Sequence, residues 1–217
     1  DTIIISTRHD SHAMLVIDSL KAHKHVFVEK PLALNEEELI DIIEVYKQTT
    51  SEPEGGSLTV GFNRRFSPHT RVIKKAIGSN PGEINIVATM NAGFIPGNVW
   101  VHDLKIGGGR IIGEACHYLD LCVYLTGSKI QAVCMNAMGE NPQENSDNAS
   151  IMVRFENGSN AVVNYFANGA KSYSKERIEV FSRERVFVID NFRKTSAFGV
   201  KGFKGLKSRI DKGHKEI

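Results

Sequence analysis

The apolar residues of the first 62 positions follow two alternating spacings. Short apolar runs predict strands buried on both faces, and apolar residues repeated every three or four positions predict helices. The strands are predicted at 3–6, 25–29 and 57–62, and the helices begin at the capping residues Asp10 or Ser11, and Asn35. Connections this short require parallel strands with right-handed crossovers. The pattern predicts about half of a doubly wound parallel sheet.

Beyond residue 65 the pattern changes to two helices and a series of alternating strands. Helices are predicted near 68–77 and 110–125, and strands at 130–138, 149–156, 160–168, 176–181 and 186–190 after a first one at 84–91. Asn157-Gly158 between two of these strands is typical of a hairpin. The series predicts an α+β domain with an open-faced, mainly antiparallel sheet and helices on one face.

Three sets of apolar residues are predicted to face a core or a covering layer. In the second helix they are Leu39, Ile42, Ile43 and Tyr46. In the helix at 110–125 they are Ile111, Ile112, Ala115, Cys116, Leu119, Cys122 and Val123. In the open sheet, helices or a partner chain are expected to cover Val153, Val163, Tyr165 and Phe181.

The composition is that of a globular protein, with 41% hydrophobic and 24% charged residues. No apolar run reaches the roughly 18 residues of a membrane span, so no membrane partner is predicted. The net charge is +2, but the positive charge is unevenly placed, because residues 192–217 hold eight Lys and Arg against two acidic residues. We expect this segment to be a solvated linker that feeds a helix, and we predict no nucleic-acid partner because no basic aromatic patch accompanies it.

The division predicted from these patterns has three parts. They are a partial doubly wound domain at 1–65, an α+β domain at 66–191, and a basic tail at 192–217 that returns toward the first domain. The chain opens directly on a strand and closes on what reads as the first turn of a helix, so we expect it to be a fragment of a longer protein.

Three cysteines, Cys116, Cys122 and Cys134, form no C-x-x-C pair. Their odd number favours buried thiols in a reducing cytoplasm over a disulfide framework. No metal is predicted, because the histidine spacing matches neither H-E-x-x-H nor H-x-H.

Glu29-Lys30-Pro31 lies where the second predicted strand ends, the edge at which ligands bind in parallel sheets. An ammonium there can hydrogen-bond a carbinol oxygen, and Pro31 fixes the local backbone and is a candidate for a cis bond. A surface Lys ahead of a helix remains the alternative from these three residues alone.

His117 and Asp120 share a face of the helix predicted at 110–125, and Glu114 lies near the same side. A His beside a carboxylate is a usable proton acceptor, although a packed interior His fits the same pattern. The glycines 107–109 lack the G-x-G-x-x-G spacing and the preceding strand of a dinucleotide loop. They predict a tight turn with close backbone approach instead.

In order and spacing, several segments together resemble the Gfo/Idh/MocA oxidoreductase family. They are 7–13, 25–32, 61–68, 107–109, His117 with Asp120, and 125–127. The resemblance implies a partial Rossmann-type sheet followed by an open-faced sheet that mediates homo-oligomers. It also implies an NAD- or NADP-dependent dehydrogenase that acts on a CH–OH group of a sugar, cyclitol or related polyol.

The resemblance also implies roles for particular residues. Lys30, His117 and Glu114 would be catalytic. Thr7, His12, Glu29, Pro31, Asn63 and Arg64 would lie near the cofactor. Trp100, Arg110 and Asp120 would bind substrate together with Lys30 and His117.

Two features depart from the family pattern. The glycine turn for the pyrophosphate is absent from these 217 residues, so we expect an incomplete cofactor site that binds NAD(P) poorly. Many members carry Asp four residues before the His, where this chain has Gly113 followed by Glu114. Either Glu114 substitutes, or Lys30 and His117 act alone, or the chemistry is altered.

The stretches 91–96 and 109–114 also resemble the carboxyl-terminal half of long bacterial proteins. Those proteins fuse a zinc-type alcohol-dehydrogenase-like half to a module of this kind. The functional alternative is a non-catalytic sugar-binding or dimerisation module of such a larger dehydrogenase.

Overall fold

The structure is a computed structural model that describes residues 1–51 and 54–217. The chain divides into two compact units. The first contains Asp1–Phe62 and Pro96–Cys116, and the second contains Asn63–Ile95 and His117–Ile217. The predicted boundaries at 65 and 191 stay predictions. Within the described residues no helix combines the length and the apolar character required to cross a bilayer.

The first unit is built on three parallel strands in the order β1-β2-β3. Its elements are β1 (Thr2–Ile5), α1 (His12–Lys21), β2 (His25–Val28), α2 (Glu36–Thr50) and β3 (Leu58–Val60). The predicted half of a doubly wound sheet is therefore confirmed. Asn35 caps α2 as predicted, since its side-chain oxygen accepts from the backbone N–H of Glu38 at 2.9 Å. Ser11 precedes α1 without a side-chain cap.

The core of the first unit is smaller than the sequence pattern predicts. It contains the buried residues Ile5, Ala13, Val16, Leu20, Val26, Val28 and Ile42. β1 was expected to be buried on both faces, but Ile4 is 72% exposed, and among the described strands β1 pairs only with β2. In α2, Ile42 is buried, whereas Leu39, Ile43 and Tyr46 are exposed, so that predicted face is wrong in three of its four positions.

The second unit is built on an eight-stranded sheet in the order β11-β10-β9-β8-β4-β7-β6-β5. The helices are α3 (Pro68–Ile77) and α4 (Cys116–Thr126). The strands are β4 (Asn85–Asn91), β5 (Ile130–Ala137), β6 (Asn148–Phe155), β7 (Asn160–Phe166), β8 (Glu176–Ser182), β9 (Arg185–Asp190), β10 (Lys194–Phe198) and β11 (Leu206–Lys207). Only the β4–β7 pair is parallel among the described strand pairs of this sheet. The mainly antiparallel sheet is confirmed.

From β6 to β9 one face of this sheet is buried and the other is more open, whereas β5 is exposed on both faces. Val153, Val163 and Tyr165 lie on the buried face as predicted, whereas Phe181 is 39% exposed and lies on the other. The predicted hairpin at Asn157-Gly158 joins β6 to β7, and Gly158 has φ +85°.

Two predictions about the helical and tail segments are wrong in detail. A π-helical turn, Ile111–Ala115, precedes α4. The buried apolar residues here are Ala115, Tyr118, Leu121, Cys122 and Leu125, so only Ala115 and Cys122 of the predicted set are buried. The tail is not a solvated linker, because β10 pairs with β9 and β11 pairs with β10. Thr195 is buried in that ladder.

Candidate functional site

Lys30 lies beyond the carboxyl end of β2, at the edge of the parallel sheet. It is half-buried, and its Nζ donates a hydrogen bond of 2.9 Å to the backbone carbonyl of Gly113, in the π turn. The Lys30–Pro31 peptide bond is cis, and Pro31 is buried. The first unit thus brings an ammonium group to the edge where parallel sheets bind ligands.

His12 connects the ends of two neighbouring strands. Its ring is fully buried, with Nδ1 2.8 Å from the carbonyl oxygen of Pro31 and Nε2 3.1 Å from that of Thr7. A neutral imidazole carries one N–H and can donate to one of these oxygens, whereas an imidazolium can donate to both. In either form the ring holds the backbone after β1 against the backbone that follows Lys30.

Thr7 and Glu29 flank this strand edge. Thr7 is exposed, and its Oγ1 lies 2.6 Å from the Ser11 hydroxyl. The Glu29 carboxylate packs against Gly61 at the end of β3, since a Cβ at 61 would lie 3.1 Å from Glu29 Oε2. Glycine at 61 therefore leaves room for the Glu29 side chain.

The glycine turn at 107–109 packs closely against its surroundings. A Cβ on Gly107 would lie 2.6 Å from the carbonyl oxygen of Trp100, and Gly108 and Gly109 have φ of +72° and +77°. The predicted tight turn is confirmed. The carbonyl of Gly107 accepts from His9 Nδ1 at 2.8 Å, and the His9 ring meets Trp100 edge-on with centroids 4.9 Å apart.

Glu114 and Arg110 pair with each other. The Arg110 guanidinium donates to the Glu114 carboxylate at 3.3 Å, and the Arg110 side chain is almost fully buried. Glu114 therefore already has a cationic partner in the first unit.

His117 and Asp120 lie in α4 of the second unit. His117 is buried, and Asp120 accepts from Arg65 in a two-pronged pair, in which Nε lies 3.0 Å from Oδ2 and Nη2 contacts Oδ1. Burial raises the pKa of Asp120, and the Arg65 guanidinium limits that rise. The carboxylate predicted to assist His117 thus has a strong partner on α4's neighbouring 3₁₀ turn, Asn63–Phe66.

Asn63 and Arg64 make buried contacts within the second unit. Arg64 donates to the Glu176 carboxylate at 2.9 and 3.2 Å, and Asn63 donates to the carbonyl of Lys212 at 2.9 Å. Both side chains therefore hold β8 and the tail against the start of α3. Their predicted place near the cofactor stays a prediction.

Sequence reasoning assigned no role to His9, although it lies within the quoted segment 7–13. Its ring contacts Gly107 and Trp100 and lies beside the Cα of Gly113. The available signal was its position three residues after the end of the strand predicted at 3–6, near the edge where parallel sheets bind ligands.

The parallel first sheet, with a Lys at its strand ends, defines a Rossmann-type nucleotide-binding class of fold. Residues 1–52 match the family model described as oxidoreductase family, NAD-binding Rossmann fold, and residues 72–188 match that of the GFO/IDH/MocA C-terminal domain. The chain belongs to the GFO/IDH/MocA oxidoreductase family, which confirms the resemblance.

Individual relatives agree with this assignment. The chain is 29% identical over 202 residues to the uncharacterized oxidoreductase YrbE of Bacillus subtilis, covering 90% of this chain and 57% of YrbE. It is 29% identical over 203 residues to myo-inositol 2-dehydrogenase of Thermotoga maritima, covering 90% of this chain and 58% of that enzyme. The chain therefore spans a little over half the length of these relatives.

Solved structures share the fold. An oxidoreductase domain protein from Kribbella flavida superposes with a TM-score of 0.78 at 24% identity, covering 97% of this chain and 61% of that one. A levoglucosan dehydrogenase in complex with NADH gives a TM-score of 0.78 at 23% identity, covering 98% and 63%. The predicted fold class is confirmed.

Proposed function

We propose that this chain is the larger part of an NAD(P)-dependent dehydrogenase that oxidises a secondary alcohol of a sugar, cyclitol or related polyol. The observation that carries the proposal is the Lys30 ammonium, held at the parallel strand ends by the carbonyl of Gly113. Family membership and the names of relatives, which include myo-inositol 2-dehydrogenase and levoglucosan dehydrogenase, support the substrate class.

The residues of the first unit fit the reactive end of a nicotinamide cofactor. Thr7 is exposed and Lys30 is half-buried at the carboxyl edge of the sheet, and His12 fixes the backbone between them. Thr7, Glu29 and Pro31 are the residues of this unit that we propose to hold that end. When bound there, NAD(P)⁺ would supply the acceptor for the hydride on the carbon that bears the hydroxyl.

Lys30 then acts on that hydroxyl as a hydrogen-bond donor or as a proton acceptor, according to its own protonation. In its charged form, Nζ donates to the substrate oxygen and stabilises negative charge there. In its neutral form, the same nitrogen accepts the hydroxyl proton. Because Gly113 supplies a carbonyl and not a carboxylate, the partner of Nζ places no full negative charge beside it.

We propose that His117 orients the hydroxyl or shares its proton. It lies four positions after Gly113, whose carbonyl receives Lys30. Glu114 is the third proposed catalytic group, with Arg110 holding its carboxylate. Trp100, Arg110 and Asp120 are proposed substrate contacts, and Asn63 and Arg64 are proposed to lie near the cofactor.

The test is polyol-dependent reduction of NAD⁺ and NADP⁺ by the intact protein, with Lys30→Met beside it. We expect Lys30→Met to lower turnover about 10²- to 10⁴-fold, the usual contribution of a general acid–base group. The matched control is Lys74→Met, because Lys74 Nζ also donates to a helix carbonyl, that of Leu125, at 3.0 Å.

Turnover of Lys30→Met equal to that of Lys74→Met would contradict the role of Lys30. Binding of polyols without any reduction of cofactor would favour a non-catalytic sugar-binding module instead. The fusion to a longer zinc-type dehydrogenase stays a prediction.

We also propose that copies of the chain associate through the open face of the large sheet. The strand registers align Cys134, Met152, Val162 and Val87 in one row across four neighbouring strands. Met152 is 61% exposed at the centre of that row. An apolar row of this kind on a sheet face is typical of an interface.

A charged side chain placed in this apolar row tests whether the row forms the interface. Met152→Lys is expected to convert the oligomer to a monomer by light scattering, whereas Met14→Lys, at a 58% exposed position on α1, leaves its mass unchanged. A monomeric starting protein, or an unchanged mass for Met152→Lys, would contradict the interface.

We propose a cytoplasmic location, supported by the three cysteines, which form no disulfide with one another within the described residues. Recovery of the protein from an oxidising compartment with these thiols oxidised would contradict it.

A further inference from the structure

Two ionisable side chains converge on Gly113. A Cβ at position 113 would lie 3.1 Å from Cε1 and 3.6 Å from Nδ1 of His9, so the imidazole occupies the space that a side chain at 113 would fill. The carbonyl of the same residue accepts from Lys30 Nζ at 2.9 Å. The imidazole and the ammonium therefore share the backbone of one residue.

The His9 ring is fixed in position. Nδ1 faces the carbonyl oxygen of Gly107 at 2.8 Å, and the backbone N–H of Asp10 donates to the carbonyl of Ile106 at 3.1 Å. Because a carbonyl only accepts, Nδ1 carries the hydrogen, and Nε2 of the neutral ring keeps its lone pair. Two successive residues after β1 thus hold two successive carbonyls of the turn that leads to Gly113.

Burial and the neighbouring charges together favour the neutral form of His9. Burial lowers the pKa of His9, the hydrogen bond to Gly107 opposes that, and the charges of Lys30 and His12 lower the pKa further. Asp10 acts in the opposite direction, and the net pKa lies below the ordinary value. A proton on His9 and the charge on Lys30 therefore disfavour each other.

We propose that His9 is a positioning residue of the Lys30 site, whose neutral ring holds the 107–113 turn so that Gly113 receives the ammonium, and whose protonation in acid weakens that arrangement. The link to turnover rests on the proposed dehydrogenase function. The coupling between His9 and Lys30 does not, because it is a property of the folded chain.

The first test is an NMR titration of the His9 imidazole in the intact protein, with the signal identified by its loss in His9→Asn. Lys30→Met removes a nearby positive charge, so the pKa of His9 should rise in that variant and stay unchanged in Lys74→Met. An unchanged His9 pKa in Lys30→Met would overturn the proposal, whether or not the protein turns over any polyol.

The second test separates the hydrogen bond from the ring. His9→Asn keeps a donor toward Gly107 and removes the titrating group, so turnover at neutral pH should be retained and the acid loss assigned to His9 should vanish. His9→Phe keeps a ring against Trp100 but loses the donor. It should lower kcat by up to about 100-fold, the effect of a small misplacement of a catalytic group.

A wild-type pH profile and kcat in His9→Phe would overturn the proposal. If the wild-type protein reduces no cofactor with any polyol, the dehydrogenase function fails, and the NMR titration alone decides the coupling of His9 to Lys30.

Discussion

Two clusters of basic side chains, one in each unit, have different hydrogen-bond partners. In the first unit, Lys30, His9 and His12 meet backbone carbonyls. In the second, Arg64 and Lys212 both meet one fully buried carboxylate, that of Glu176.

The difference in partner decides what each cluster can do. A carbonyl carries a partial charge, so it orients an ammonium or an imidazole and leaves its proton exchangeable. A buried carboxylate holds the basic groups that it contacts in their charged form. Burial opposes the charge on Glu176, but Arg64 and then Lys212 outweigh it and lower the pKa of Glu176 from 4.5 to about 2. We infer that the first cluster serves chemistry, whereas the Glu176 carboxylate of the second serves the fold.

The largest expected effect on stability comes from removing the charge at the centre of the second cluster. Glu176→Gln leaves the buried Arg64 and the partly buried Lys212 without their counter-ion and should lower the free energy of unfolding by about 3–5 kcal/mol in urea titrations. Glu179→Gln is the matched control, because its pair with Arg177 is partly exposed and contributes about 0–1 kcal/mol. Equal losses in the two variants would remove the distinction between the clusters.

The same cluster predicts a pH dependence of defined sign. Because folding lowers the pKa of Glu176 from 4.5 to about 2, its contribution is complete above 4.5 and is lost as the pH falls toward 2. The stability difference between the wild type and Glu176→Gln should therefore narrow over this window. A difference that stays constant from neutral pH to pH 2 would show that the carboxylate is not held in its charged form.

A smaller effect is expected where the tail joins the second cluster. Gly213 follows Lys212 with φ +86°, and a Cβ there would lie 2.5 Å from both the carbonyl oxygen of Asn63 and the N of Ser67. Gly213→Ala should destabilise the protein by about 1–3 kcal/mol more than Gly202→Ala, through overpacking. Gly202 has a similar φ of +75° but open space around it, so it carries the backbone strain alone. Equal stability of the two variants would show that the tail does not pack closely against Asn63 and Ser67.

The sequence predicted the secondary-structure elements better than the contacts between residues that are far apart in the chain. The parallel strands, the hairpin at Asn157-Gly158 and the place of Lys30 follow from local patterns, and the structure has all three. The π turn at Ile111–Ala115 was not predicted, because one extra residue in a turn leaves no mark on an apolar repeat. β10 was missed because its short alternation is masked by the basic composition around it.

The site shows the same limit. Arg64 and Glu176 are 112 positions apart, and His9 and Gly107 are 98 apart, so only the completed fold brings them together. Nothing in the sequence near Gly113 indicates that the ring of His9 fills the space beside its Cα.

Turnover and the free energy of unfolding, both measured on Lys30→Met and Glu176→Gln, test the separation of the two clusters most directly. The account predicts that Lys30→Met loses turnover and keeps most of its stability, while Glu176→Gln loses stability and keeps turnover at temperatures where it remains folded. If Lys30→Met instead unfolded like Glu176→Gln while retaining turnover per folded molecule, the carbonyl-held ammonium would be a structural group and the account would be wrong.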